Sequence, residues 1–165
     1  MDIIKLIFLC IYYTLEVVIL FYVLYYVITG IFAFLERKKI YKYRPKNKFA
    51  LIIPARNEEL VIGTLIESLK KQHYPNKLFD IYVAPNNCTD DTRGAALKSG
   101  AKIIDIKVEA KSKGDVLKYC FLYLEEKYNY DAYCIFDADN IVHPNFLRSM
   151  NNALCSKYNV AQGYR

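Results

Sequence analysis

The feature that most restricts this chain is an unbroken apolar run near its start, VVILFYVLYYVITGIFAFL, residues 17–35. As a helix it would extend for about 28 Å, close to the hydrocarbon thickness of a bilayer. The apolar stretch begins at residue 3 and is interrupted only by Lys5 and Glu16, the latter expected near the outer interface, where a carboxylate stays hydrated. A cleaved signal peptide requires a basic start, a short apolar centre and a small-residue cleavage site. Here the run is too long, the charge follows it, and no Ala-x-Ala comes after it. The pattern predicts an uncleaved single-pass anchor over residues 1–36.

A basic linker, residues 37–48, follows. It holds seven basic residues (Arg37, Lys38, Lys39, Lys42, Arg44, Lys46, Lys48) and no acidic one. Positive flanks stay on the cytoplasmic side, so the C-terminal part is expected in the cytoplasm, at the cell membrane. The net charge of +6 is thereby explained, because 16 basic and 17 acidic residues remain elsewhere. A nucleic-acid-binding face needs its excess on the folded part, so no nucleic-acid partner is expected. The five cysteines (Cys10, Cys88, Cys120, Cys134, Cys155) are odd in number and widely spaced. With His73 and His143 as the only histidines, zinc is not expected, and a reducing compartment fits best. Cys120 and Cys134 read as small core residues.

From residue 49 strands and helices alternate. Strands are predicted over FALIIP (49–54), FDIYVA (79–84), KIIDIKV (102–108) and AYCIFD (132–137), with VAQGYR (160–165) a fifth just starting. Helices are predicted over residues 59–72, from TDDT (89–92) to 99, over 115–127, and from Pro144 to about 157. The fold class expected is α/β: a mostly parallel, Rossmann-like sheet with helices on both faces, over residues 49–165. Ligands of such sheets bind beyond the C-terminal strand ends. Polar clusters fall there: ARNEE, PNNCTDD, EAKSKGD and DADN.

Asp137 and Asp139, two residues apart at a strand end, suit a hard divalent cation, Mg2+ or Mn2+, that keeps phosphate oxygens as further ligands. The same residues also suit a turn that caps the next helix. Lys111 and Lys113, with Gly114 permitting close approach, can lie along a diphosphate or form a solvated basic loop. Asn57 and Glu58 offer hydrogen bonds to a base or ribose, or begin a helix. Asn86 can meet a base edge or close an Asx-turn. The sequence has no Gly-x-Gly, no Gly-x-x-x-x-Gly-Lys and no Gly-x-Ser-x-Gly, so the dinucleotide fingerprint, P-loop and nucleophile elbow are absent.

Taken in order, IIPARNEE, NNCTDDT, KGDVL, FDADNIVHPNFL and VAQGYR resemble the family-2 glycosyltransferases of the GT-A fold, particularly membrane-anchored bacterial members. The resemblance runs from residue 49 to 165. It implies that Pro54, Ala55, Arg56, Asn57, Glu58 and Asn86 contact the nucleoside and that Lys113 lies near the phosphates. It also implies catalytic roles for Asp137, at the ribose or sugar, and Asp139, with the metal held by Asp139 and Asp137. A UDP-sugar donor and a saccharide or lipid-linked acceptor follow from it. The family's usual Asp in the second loop is Asn86 here, and a usually acidic position is His143. Family members continue past the matched segments into an acceptor half that carries the general base. The expectation is therefore a hexosyltransferase-type donor half, or a non-catalytic nucleotide-sugar-binding module working with a partner subunit.

Overall fold

The computed structural model describes residues 3–35 and 42–163. Arg37, Lys38 and Lys39 of the basic linker lie outside the described residues, as do Tyr164 and Arg165. The chain divides into two compact units, Met1–Lys39 and Ile40–Arg165.

The first unit is one helix, α1 (Ile3–Leu35), of 33 residues. Over Ile3–Phe32 it is long and apolar enough to cross a membrane, and none of that stretch is buried by protein. Both of its threonines bond back onto the helix: Thr14 and Thr29 donate to the Cys10 and Tyr25 carbonyls at 2.7 and 3.0 Å. The Tyr12 hydroxyl donates to Glu16 at 2.6 Å.

The second unit is a four-stranded parallel sheet in the order β3-β2-β1-β4. The strands are β1 (Phe49–Ala55), β2 (Phe79–Pro85), β3 (Lys102–Ile103) and β4 (Ala132–Ile135). Between them lie α2 (Ile62–Lys70), α3 (Thr92–Lys98) and α4 (Lys113–Lys127), with α5 (Phe146–Cys155) after β4. Central β1 is apolar throughout because both of its faces are covered. Phe49, Leu51, Ile53 and Ala55 pack on Ile62, Leu65, Ile66 and Leu69 of α2 and on Leu147 of α5. Ala50 and Ile52 pack on Val116, Cys120 and Leu124 of α4. The four α2 residues are fully buried and spaced as one helical face. Each contributes about 1.5–3 kcal/mol by leaving water. Gly100, at φ +80°, turns the chain from α3 toward β3.

The joint before β1 is strapped to α5. Asn151, fully buried, accepts from the Lys46 and Asn47 N–H groups (3.2 and 3.3 Å) and from Tyr74 (3.0 Å). It donates to the Arg44 carbonyl at 3.2 Å. At the N-terminal end of the sheet, Tyr130 donates to Asp80 at 2.6 Å and shares a 2.7 Å bond with Tyr82, and Lys102 pairs with Asp80 at 2.7 Å.

Two expectations change. The third strand is two residues long rather than seven. Residues 160–163, expected to begin a fifth strand, are irregular, and Val160 is exposed. Gly163 instead lies against the Phe146 ring, where a Cβ would come within 2.9 Å of it.

Candidate functional site

Two prolines open the C-terminal edge of the sheet. The Ile104 N–H donates to the Val83 carbonyl at 2.9 Å, and the next rung of that parallel ladder would need an N–H from Pro85. On the other side the Phe136 N–H donates to the Ile52 carbonyl at 3.0 Å, and the next rung would need an N–H from Pro54. Proline has none, so both outer strands leave the sheet here. This ends β3 early and swings the Asp137–Ala138–Asp139 segment away from β1.

The crevice so formed has a volume of about 370 Å³. Pro54, Ala55, Arg56, Glu58, Asn86, Lys111, Ser112, Lys113, Val116, Asp137, Ala138 and Asp139 line it. A larger hollow of about 710 Å³ beside α2 and residues 141–144 contains none of the candidate residues, so the chemistry is assigned to the crevice.

Asn57 is the candidate that the structure places elsewhere. It sits at φ +59°, in the left-handed region that Asn tolerates. Its side-chain oxygen accepts the Thr89 N–H at 2.7 Å, so it joins the first loop to the second and does not face the crevice. More bonds across these loops were not foreseen. Buried Thr92 accepts the Glu58 N–H at 2.9 Å and donates to Asp90, which also accepts the Glu59 N–H at 3.0 Å. The Thr92 hydroxyl chiefly holds the Asp90 carboxyl below its ordinary range. Glu59 returns the bond by accepting the Asp91 N–H at 3.1 Å. Only the Asp-x-Thr spacing of residues 90–92 could have signalled this brace, which fixes where Glu58 presents its side chain.

Asn86 donates its amide N–H to the Ala110 carbonyl at 3.1 Å, which leaves its side-chain oxygen as the group's acceptor at the crevice wall. A carboxylate could not make that bond, so Asn at this position is matched to the third loop. Lys113 begins α4 behind a reciprocal cap: Ser112 accepts the Asp115 N–H at 3.2 Å, and Asp115 accepts the Ser112 N–H at 2.9 Å. That cap, led by the Ser112 hydroxyl, holds the Asp115 carboxyl below its ordinary range. The Lys113 ammonium is ion-paired with Asp137 across the crevice. Lys111 pairs with Glu109 at 3.4 Å, both well exposed. His143 is exposed and outside the crevice, where its carbonyl accepts from Gln72 at 2.9 Å.

Buried Ala138 sets Asp137 and Asp139 at the crevice wall on either side of it. Among the described residues no three His, Cys, Asp or Glu side chains converge as a metal cage. The donors instead fit a hard cation that takes one or two carboxylates from protein and its other ligands from phosphate and water.

The family and structural relatives agree with this architecture. Residues 45–165 match the model described as glycosyltransferase like family 2. Over 63 residues the chain is 40% identical to 4,4'-diaponeurosporenoate glycosyltransferase of Staphylococcus aureus (strain bovine RF122 / ET3-1), covering 38% of this chain and 16% of that protein. It is similar to a mannosyltransferase from Pyrobaculum calidifontis solved with GDP-Man and Mn2+, at 18% identity and a TM-score of 0.65, covering 80% of this chain and 39% of that one. It is also similar to glucosyl-3-phosphoglycerate synthase from Mycobacterium tuberculosis in complex with Mn2+, UDP and glucosyl-3-phosphoglycerate. There the identity is 24% and the TM-score 0.53, covering 66% of this chain and 39% of that one. The chain thus spans well under half the length of these relatives, and the structural likenesses establish the GT-A-like fold. With most of its length matched by the family model, the chain belongs to glycosyltransferase family 2.

Proposed function

We propose that the crevice binds a nucleotide-diphosphate sugar with Mg2+ or Mn2+ and forms the donor side of a hexosyltransferase-type glycosyltransferase. Its acceptor would be a saccharide or lipid-linked glycan of the cell surface, and residues 1–36 would anchor it in the cell membrane with residues 49–165 in the cytoplasm. One observation carries this reading: a single crevice at the strand ends combines Arg56, Lys111 and Lys113 with Asp137 and Asp139. Cations for a diphosphate and carboxylates for a divalent ion thus lie together.

Each residue has work that its geometry allows. Asn86 presents its oxygen to an imino N–H of the base, because its nitrogen is engaged by Ala110. Arg56 and Glu58 flank the nucleoside from the braced first loop. Lys111 and Lys113 bring positive charge to the diphosphate. Asp139, with Asp137, would hold the cation, which supplies charge neutralisation for the departing nucleoside diphosphate. Structural relatives solved with Mn2+ and with UDP or GDP-Man support the choice of metal and nucleotide.

Calorimetric titration of the full chain in detergent with UDP and with GDP, with and without Mn2+, tests it. Binding should require Mn2+ and weaken at least about tenfold in Asp139→Asn, a change of about 1.4 kcal/mol. Equal, metal-independent binding by wild type and Asp139→Asn would show that the acidic pair is only a turn.

A further inference from the structure

We infer that Lys113 is a built-in counter-cation for Asp137 that changes places with the incoming metal–diphosphate, so that metal and nucleotide bind cooperatively. This rests on the donor-site reading above.

Lys113 is the first residue of α4, and its backbone is fixed by the Ser112–Asp115 cap. Its ammonium reaches across the crevice to Asp137 on the segment after β4, 24 residues away. Two carboxylates flanking a buried Ala138 repel each other, and Lys113, ion-paired with Asp137, offsets part of that repulsion. The pair is also easily broken, because its side chains remain 52% and 43% exposed and such ion pairs hold only weakly.

A divalent cation arriving alone must displace the Lys113 ammonium, which then stays nearby as a like charge. A cation arriving with a diphosphate meets a different balance. Lys113 and Asp137 line the same crevice, so the released ammonium finds phosphate oxygens within it. Each ligand therefore favours the other, and linkage makes the effect reciprocal. Removing the ammonium should have opposite consequences for the two ligands, which loss of a merely structural contact would not produce.

The test is Mn2+ binding to the full chain in detergent, read from the free Mn2+ signal in electron paramagnetic resonance, with and without UDP. Lys113→Met should bind Mn2+ alone about fivefold more tightly than wild type, the scale of an exposed ion pair. UDP should tighten Mn2+ binding in both proteins, because phosphate oxygens ligate the cation in each, but about fivefold more in wild type than in the variant. Lys113→Gln, uncharged and polar, should behave as Lys113→Met and provides a second folded variant at this exposed helix start. If both variants bind Mn2+ alone no better than wild type, while Asp137→Ala, Asp139→Ala abolishes binding, the exchange is overturned and the donor site stands. If the double variant binds Mn2+ and UDP as wild type does, the donor site falls as well.

Discussion

Thr92 has a larger part in the crevice than its size suggests. It is fully buried, and its hydroxyl links the Glu58 N–H to the Asp90 carboxylate. Thr92→Val keeps the shape and removes the hydroxyl, which leaves the Glu58 N–H without its acceptor. The expected cost is about 2 kcal/mol in unfolding free energy, together with weaker UDP binding, whereas Thr92→Ser should restore both. Calorimetry and chemical denaturation of the three proteins check this, and an unaffected Thr92→Val would dismiss the brace. Asp80 governs the opposite end of the sheet. Burial pushes its carboxyl up, but bonds from Lys102 and Tyr130 and the Lys102 and Lys48 charges outweigh that and hold it below the ordinary range. Because the folded value is depressed, its stabilisation is complete above the unfolded value of about 3.9 and is lost as pH falls through the lower folded one. Asp80→Asn should therefore flatten the acid limb of stability against pH, and an unchanged limb would contradict the assignment.

At the scale of elements, Pro54 and Pro85 decide where the sheet stops and the crevice starts. Pro54→Ala supplies the missing N–H opposite Phe136. The β1–β4 ladder should gain a rung, seen as a slowly exchanging amide at position 54, while Asp137 is drawn inward and UDP binding weakens about tenfold. A fast-exchanging amide there would show that the strands separate for another reason. The same prolines mark how far residue patterns carry. The stripe of Ile62, Leu65, Ile66 and Leu69 made α2 legible, and the unbroken apolar run of β1 marked the buried central strand, because local periodicity reports burial directly. The short β3 was not legible, since what ends it is Pro85 on the neighbouring strand. Most crevice residues followed from their place at strand ends, but Asn57 did not. Its partner Thr89 lies 32 positions away, and a strand-end Asn reads the same whether it meets a ligand or another loop. VAQGYR has the composition of a strand, yet residues 160–163 are irregular and Gly163 lies against the Phe146 ring, a contact between distant residues that composition does not report.

At the scale of the molecule, one long apolar helix precedes an α/β unit whose strand ends gather the chemistry of a nucleotide site. A reporter fused after residue 165 should read as cytoplasmic, and neutralising the seven basic residues between 37 and 48 should weaken that preference. An extracytoplasmic signal would reverse the proposed orientation. The central claim is that a nucleotide diphosphate lies in the crevice between β1 and β4, and photoaffinity labelling tests it most directly. The full chain in detergent, irradiated with 5-azido-UDP and Mn2+ and then mapped by mass spectrometry, should carry the label on residues 54–58 or around Asn86. Labelling should disappear when Mn2+ is chelated and in Asp137→Ala, Asp139→Ala. Label on peptides outside the crevice, or label on these peptides that persists in the double variant, would contradict the claim.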